Sequence, residues 1–571
     1  MATFGLLEQL YTGGLEPGYR LPDPAVDPAK ERRVDRLLAE YRELIKDYPP
    51  RELERLGEPP AALWKGLKEL GLFGMLIAEE YGGLGLSLTQ YLRVVEQLSQ
   101  DDLALALIPL AHLSIGVKGI LLFGSDEQKR RYLPKAASGE MIFAFALTEP
   151  RVGSDAQHIE TRAELANDGS SYLLTGQKTY ITNANYAGGM TVFAQLDPQR
   201  PGSMGAFIVE TGWEGVKIGK DMPKMGLAIS STAAVQLKGV RVPVENLLGR
   251  PGDGFKIAMT ILNYGRLGLG AGAHGGMRRS VSDMVARAGS RIQFGSPIAK
   301  FDLVQEKIAR TWAMGFAVGA MTELTARILE SDPLANVAIE SSHCKLFGTE
   351  RSWQAIYDAL QLAGGSGYIA TQPYEKRMRD ARVATVFEGT SEIHSIYPPT
   401  FVARELGREL KDRGPFKRLG FIAGYWLASP RLPMAPAREP EIREALAATR
   451  RAIRGFRRLL LRGLIRYGSS IAKHEFLLRR ITSLSLAAYS LVSAVVKIER
   501  ERSSRGAASS AEAAERLRIL RYLTVEARAA IAESLRFDDP PRERLTGTLF
   551  ADAAAHEARS TGSPTLHPVL S

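Results

Sequence analysis

The chain has almost no cysteine: among 571 residues there is one, Cys344. An internal disulfide framework is excluded, as is an iron–sulfur cluster held by thiolates of this chain alone. Its surroundings, Ser342-His343-Cys344-Lys345-Leu346-Phe347, read as helix. His343 is a sequence neighbour, so it faces another side of that helix and cannot activate the thiol. A buried structural cysteine is expected.

Long hydrophobic runs are also scarce. The longest uncharged, mostly apolar run extends from Ile481 to Val496, between Arg480 and Lys497. A bilayer-spanning helix needs roughly 18–20 such residues, so this run reads as a core helix. No basic, then apolar, leader opens the chain, and Glu8 and Glu16 stand early. The expectation is a cytoplasmic protein, or one peripheral on the inner face of a membrane, with no signal peptide or transmembrane helix. No internal repeat is visible. His474-Glu475 lacks the second histidine of a zinc-protease helix, since Leu478 stands where it would be, and no metal is expected.

Acidic residues are outnumbered. The net charge of +11 admits three kinds of partner: nucleic acid, an anionic membrane surface, or an acidic ligand or protein. Charge alone does not choose among them. The 45% apolar and 24% charged residues place the chain among globular proteins. Its length suggests three or four domains at roughly 100–200 residues each.

Residues 1–30, rich in glycine and proline, read as an N-terminal arm. Helical spacing of apolar residues dominates 31–140, as in Arg33–Glu40 and Tyr91–Leu98. Short β-branched and aromatic segments separated by turns fill 141–250, for example Met190–Ala194 and Ala206–Glu210. Helical patterns return over 251–407, followed by a Pro- and Gly-containing linker at 408–440. An extra C-terminal helical domain is expected at 441–537 and a loose polar tail at 538–571.

Several motifs admit two readings. Gly270-Ala271-Gly272-Ala273-His274-Gly275 has the spacing of a dinucleotide loop, but no strand precedes it, and helix packing by small residues is preferred. Gln361-Leu362-Ala363-Gly364-Gly365 suits either a glycine helix cap or a phosphate cradle. Arg291-Ile292-Gln293-Phe294-Gly295 suits either a turn or a pyrophosphate contact. In Val386-Phe387-Glu388-Gly389-Thr390, Thr390 can cap a following helix whose N-terminus offers free N–H groups. Glu388 is either a surface glutamate in a turn or a desolvated carboxylate with a raised pKa, useful as a base.

Six motifs taken together resemble the acyl-CoA dehydrogenase family over about residues 35–410. They are Ala146-Leu147-Thr148-Glu149-Pro150 through Gly153-Ser154-Asp155, Gly176-Gln177-Lys178 through Tyr180-Ile181-Thr182-Asn183, Arg241-Val242-Pro243 through Glu245-Asn246, and the three stretches around Arg291, Gln361 and Glu388. Ala111–Gly124, Met259–Arg266 and Glu475–Arg480 resemble its very-long-chain branch. The resemblance implies a mostly α fold with a central β-barrel domain: helical domain, barrel and helical bundle, plus an extra C-terminal α-helical domain.

It also implies roles. Phe145, Leu147, Thr148, Ser154, Tyr180 and Thr182 would line FAD, with Thr390 and Glu392. Arg291, Gln293, Gln361, Gly364 and Gly365 would reach the FAD of a neighbouring subunit in a homodimer or homotetramer. Ser154, Asn263, Arg266, Phe387 and Gly389 would contact the acyl-CoA. Family members carry the base at one of two positions; Gly265 occupies the second, which leaves Glu388. That residue would take the α-proton while the β-hydrogen passes as hydride to the flavin, giving trans-2-enoyl-CoA. Electrons would go to an electron-transferring flavoprotein.

Three departures from the family stand out: Asp302 where glutamine is common, Arg151-Val152 before Gly153, and Pro398-Pro399 in a segment usually helical. Small apolar residues at Ala104 and Ala106, with Ile108, suggest a long acyl chain. The helix spanning 450–466 places Arg450, Arg451, Arg454, Arg457, Arg458, Arg462 and Arg466 on one broad face, opposite Ile453, Phe456, Leu460 and Leu464. Such a helix suits an anionic membrane or packs on its own domain with a solvated arginine face. Two rival readings are an acyl-CoA oxidase using oxygen and a DNA-binding alkylation-response flavoprotein of the same superfamily. Of these partners, nucleic acid is the least favoured.

Overall fold

The computed structural model describes residues 5–15, 19–25, 27–200, 202–434, 438–504 and 510–561. Parts of the expected arm and tail lie outside them. Helix entries in the first helical unit follow the sequence closely. Asp27 caps Pro28–Ile45, with proline at the first helical position, and Ser87 forms a capping box with Gln90 to open Leu88–Asp101. Asp102 caps Leu103–Ala111, whose last turn passes into a π-helical turn at His112–Gly116. Gly116 is required there, because a Cβ would meet the Phe143 carbonyl oxygen at 2.3 Å. His112 ties this unit to the sheet: its Nδ1 accepts the Phe143 N–H at 2.9 Å and its Nε2 donates to the Ala136 carbonyl at 3.2 Å.

The central strands are β1 Ile142–Ala146, β2 Arg162–Leu165, β3 Ser171–Thr182, β4 Ala187–Gln195, β5 Met204–Glu210, β6 Val216–Ile218, β7 Thr232–Pro243 and β8 Leu247–Gly252. Their order is β6-β7-β3-β2-β4-β5-β8, with β1 parallel to β4. The sheet curls around its own core, in which Leu174, Val192, Phe207, Val235 and Val242 from both limbs meet. The hydrogen-bonded path stays open between β6 and β8.

Three long helices, Gly254–Ser290, Asp302–Ser331 and Ala338–Ala363, form the bundle with Ser391–Asp412. The glycine run of the first is a packing stripe. A Cβ on Gly275 would meet the Glu96 carbonyl oxygen at 2.2 Å, and one on Gly270 would meet Thr322 Oγ1 at 3.0 Å. Cys344 is buried beside Thr325 Oγ1 at 3.3 Å, and burial pushes its thiol up to about 12. It is a structural cysteine.

Several expectations need correction. The N-terminal arm contains a helix, Leu6–Thr12, whose Leu6, Leu7, Leu10 and Tyr11 are buried. Tyr11 stacks on Phe456 with ring centroids 4.1 Å apart, and Glu340 accepts the Leu7 N–H at 2.7 Å. An apolar triplet spaced for one helix face was hidden among flanking glycines. The linker is partly helical, as Pro415–Leu427. The tail carries Pro541–Thr561, held where Glu543 meets Arg479 at 2.8 Å and also Arg480. Pro398 and Pro399 sit inside a continuous helix and are buried there, so tertiary packing overrides their helix-breaking tendency. Arg457 leaves the arginine face. It shares the spacing of Ile453, Phe456 and Leu460, is buried, and donates through Nε to the Leu10 carbonyl at 2.6 Å. Arg451, Arg454, Arg458, Arg462 and Arg466 stay exposed.

Two segments, Leu103–Phe123 and Glu475–Ser503, are apolar and long enough by composition to cross a membrane. The sequence count ended at each charge and so missed them. Their apolar windows are 83% and 78% buried inside the protein, which marks them as core helices.

The N-terminal helix bridges the bundle and the C-terminal block. Tyr11→Ala is expected to cost about 3–5 kcal/mol of stability, as for other buried aromatic truncations. Chemical denaturation of the full chain measures it. A change below about 1 kcal/mol would show that the helix is not part of the cooperative core.

Candidate functional site

The site begins with a backbone reversal. Glu388 has φ +54° and Gly389 has φ +97°. A side chain at the first position is strained, which is a cost of about 1–3 kcal/mol that the surroundings must offset. They do so through the carbonyls. The Glu388 carbonyl accepts from His394 Nε2 at 3.0 Å and lies 3.5 Å from Arg266 Nε; the Gly389 carbonyl accepts from Lys345 Nζ at 2.6 Å. Ser342 Oγ donates to His394 Nδ1 at 2.7 Å, which leaves the proton on Nε2. Burial, followed by the nearby Arg266 and Lys345 charges, pushes the His394 pKa well below its ordinary value, so the ring is a fixed neutral donor. Gly389 must lack a side chain, since a Cβ would stand 2.7 Å from that ring.

Thr390 Oγ1 accepts the Ile393 N–H at 3.4 Å and caps Ser391–Asp412. The chain therefore turns at Glu388 and enters a helix immediately afterwards, which aims the glutamate side chain back toward the Gly254–Ser290 helix. There Gly265 leaves a notch. A Cβ on Gly265 would lie 2.5 Å from Glu388 Oε2, 2.7 Å from Oε1 and 2.7 Å from Ile115 Cγ2. Ile115 belongs to the π-helical turn, a type of irregularity that re-aims side chains at functional sites.

Glu388 Oε2 is buried and has no hydrogen-bond partner. Its pKa is pushed up to about 7, first by burial; Arg266 and then Lys345 pull the other way. Lys345 is pulled down to about 8 by burial, against the opposing charge of Glu388. The two cations spend their hydrogen bonds on the loop carbonyls, so the carboxyl remains open to react.

The structure brings Asn263, Arg266, Phe387, Glu388, Gly389 and Thr390 to one place. Asn263 is buried and its Oδ1 accepts from Ser341 Oγ at 2.8 Å. Arg266 is buried against the Glu388–Gly389 loop.

A second group lies at the edge of the sheet. Phe145, Leu147 and Thr148 close β1, Ser154 lies in the next loop, and Tyr180 and Thr182 end β3. A buried ion pair sets this edge. Lys178 Nζ meets Glu149 Oε1 at 2.7 Å and the Leu147 carbonyl at 3.2 Å, and the Thr148 carbonyl accepts the Thr179 N–H at 2.9 Å. Tyr180 has φ +56° and is 67% exposed, beside a break in the β3–β7 register. An aromatic held outward in a strained backbone, next to threonine hydroxyls, fits a flat polar ring system.

A third group stands apart. Arg291 lies about 39 Å along the helix from Gly265 at 1.5 Å per residue. Gln293, Gln361, Gly364 and Gly365 are exposed with it. Arg287 joins the two helix ends through Nη2 to the Ala363 carbonyl at 3.3 Å. Neither Gly364 nor Gly365 has any atom within 4 Å of where a Cβ would be, so their backbone is open to a phosphate. Glu392 is exposed near Thr390. Asp302 opens Asp302–Ser331, where its charge suits the helix N-terminus. The guanidinium of Arg291, the amides of Gln293 and Gln361 and the open backbone at Gly364 and Gly365 are groups of the kind that bind phosphate, but they lie too far from Glu388 to share one ligand with it inside this chain.

The sequence reading missed the clamp of His394, Ser342 and Lys345. His394 carried a signal, as it follows the cap residue by one turn. Ser342 and Lys345 lie on a helix distant in sequence and carried none.

Comparison with known proteins agrees with this geometry. Three family models match: the acyl-CoA dehydrogenase N-terminal domain over residues 35–140, the middle domain over 144–240 and the C-terminal domain over 252–396. Human mitochondrial very long-chain specific acyl-CoA dehydrogenase is 35% identical over 85% of this chain and 77% of its own length. A solved acyl-CoA dehydrogenase complexed with FAD from Bacillus anthracis superposes with a TM-score of 0.78 at 29% identity, covering 94% of each chain. Butyryl-CoA dehydrogenase from Megasphaera elsdenii covers 97% of its own length but 65% of this chain, with a TM-score of 0.61 at 31% identity. The C-terminal block is thus an addition shared with the Bacillus anthracis protein. Matched by all three domain models and by a relative 35% identical over most of its length, the chain belongs to the acyl-CoA dehydrogenase family, oxidoreductases that use FAD.

Proposed function

We propose that Glu388 is the base that removes the α-proton of a long-chain acyl-CoA, so that the chain carries out α,β-dehydrogenation to the trans-2-enoyl-CoA in fatty acid β-oxidation. One observation carries this reading: a buried carboxyl with a free oxygen, poised near neutrality against a glycine notch. A thioester α-proton is weakly acidic, so the base needs desolvation and the developing enolate oxygen needs donors. The Glu388 N–H donates to none of the described groups and is available to the thioester oxygen. Arg266, His394 and Lys345 hold the loop that presents both. Bound FAD supplies the two-electron oxidant for the β-hydrogen.

Phe145, Leu147, Thr148, Ser154, Tyr180, Thr182, Thr390 and Glu392 hold the cofactor in this reading, and Ser154, Asn263, Phe387 and Gly389 face the substrate. The distance separating Arg291, Gln293, Gln361, Gly364 and Gly365 from Glu388 supports contact with the FAD of a neighbouring subunit, in a homodimer or homotetramer. An apolar cavity of about 320 Å³ lined by Ala106, Leu107, Leu110, Leu269, Gly272 and Phe387 supports a long acyl chain. Ala104 and Ile108 are buried elsewhere in the same helix. An electron-transferring flavoprotein takes the electrons. The exposed arginine face of Pro440–Tyr467, beside Phe416 and Leu427 at 90% and 77% exposure, supports peripheral contact with an anionic membrane.

Replacing Glu388 by Gln keeps the shape and removes the base. Anaerobic bleaching of the flavin by a long-chain acyl-CoA should slow by roughly 10²–10⁴-fold while FAD stays bound. Bleaching at the wild-type rate would refute the assignment.

Because a base works when deprotonated, kcat/KM should rise with pH through a midpoint near the pKa of about 7 and level off above it. A profile already flat down to pH values typical of an exposed glutamate, about 4.3, would contradict the burial argument.

A further inference from the structure

One stretch of the helix Ala338–Ala363 carries five consecutive buried residues, Ser341, Ser342, His343, Cys344 and Lys345, and all but the cysteine are polar. At roughly 100° per residue, Ser341, Ser342 and Lys345 share one side of the helix and His343 points away from it. The shared side serves the candidate site. Ser341 Oγ donates to Asn263 at 2.8 Å, Ser342 Oγ to His394 at 2.7 Å, and Lys345 Nζ to the Gly389 carbonyl at 2.6 Å. His343 reaches into the C-terminal block instead. Its Nε2 lies 2.8 Å from Ser485 Oγ on the helix Glu475–Ser504.

That bond is placed where it fixes the 341–345 turn. His343 is fully buried, and burial pulls its pKa down to about 3, so the ring is neutral and carries one proton. Its Nδ1 has no partner. With the proton on Nε2, donated to Ser485, no ring N–H is left unused. Ser485 is fully buried too, and the buried phenol of Tyr11 stands on its other side. A slide or rotation of the turn would break the His343 bond and move Ser342 and Lys345 off the Glu388 loop together. The helix that this loop enters, Ser391–Asp412, also packs on Glu475–Ser504. Both supports of the loop therefore rest on the same C-terminal helix. Another contact between the block and the bundle, Tyr489 Oη with Thr325 Oγ1 at 2.7 Å, is made on Asp302–Ser331, a helix that gives nothing to the clamp.

We infer that Ser485 is a positioning residue for the proposed reaction: through His343 it holds the turn from which Ser342 and Lys345 grip the Glu388 loop, so that the C-terminal block takes part in setting the base. The inference rests on Glu388 being that base. The charges facing its carboxyl are Arg266 and Lys345, with the neutral phenol of Tyr91 nearby. Lys345 in turn faces Arg266, Glu350 and Glu392 as well as Glu388. Of the groups around the Glu388 carboxyl, only Lys345 is carried by the turn that His343 fixes. When the turn loosens, the ammonium drifts from the loop and the ionised carboxyl loses part of its support, so its pKa rises.

The test compares Ser485→Ala, His343→Gln and Tyr489→Phe in the FAD-loaded full chain, with a long-chain acyl-CoA as substrate. Ser485→Ala should move the pH midpoint of kcat/KM upward by about one unit, the low end of what a nearby opposite charge contributes. It should also slow flavin bleaching at saturating substrate by roughly ten- to a hundredfold, as the misplacement of a reacting group does. His343→Gln, whose amide can donate from near the position of Nε2, should keep the wild-type midpoint. Tyr489→Phe removes a hydroxyl from the same docking interface, and it should lower the thermal unfolding temperature without moving the pH midpoint. If Ser485→Ala leaves midpoint and rate unchanged, the inference fails. It fails too if Tyr489→Phe shifts the pH midpoint as far, because the effect would then be general loosening, or if His343→Gln behaves as Ser485→Ala does. Bleaching of Glu388→Gln at the wild-type rate would instead strike the assignment of the base itself, so the two failures are separable.

Discussion

A carboxyl group kept away from water without a hydrogen-bond partner of its own is the constraint around which this protein is arranged. Burial of an isolated carboxylate is costly, and proteins normally neutralise or pair such a group. Here Arg266 and Lys345 stand near enough to limit the cost but are committed to backbone carbonyls of the same loop. The result is a group balanced between its two protonation states. A direct ion pair would have lowered its pKa and blocked its lone pairs; purely apolar surroundings would have kept it protonated.

Much of the surrounding structure serves this balance. The strained backbone at Glu388 is held by His394, itself fixed by Ser342. The notch at Gly265 comes from a helix whose other glycines let neighbouring helices approach closely. The π-helical turn that brings Ile115 to the notch is also where His112 and Gly116 join the first helical unit to the sheet. The three units therefore meet around Glu388, and a buried Glu149–Lys178 pair fixes the sheet edge that carries Thr148 and Tyr180.

Local chemistry was readable in the sequence, and long-range pairing was not. The Thr390 cap, the short β-branched and aromatic strand segments and the motif around Glu388 were legible, because each depends on neighbours within a few positions. The general architecture followed from a family resemblance carried by six stretches. Lys345 and Ser342 gave no sign, as their roles depend on a contact with a loop more than forty positions away. Arg457 was misplaced because charge was read before spacing: three residues beyond Arg454 and four beyond Ile453, it follows the apolar face and is buried. The buried Leu6–Thr12 helix was obscured by the glycines and prolines on either side, and its docking partners Phe456 and Glu340 lie hundreds of residues away.

The ionisation of Glu388 can be observed without turnover. Infrared difference spectra of the flavin-loaded protein, recorded across pH and compared with the Glu388→Gln variant, isolate the carboxyl stretch of this one side chain. The account predicts a protonated-carboxyl band that disappears with a midpoint near 7, the pKa set chiefly by burial, and that is missing from the variant. A side chain fully ionised at mildly acidic pH, with no such band, would contradict it.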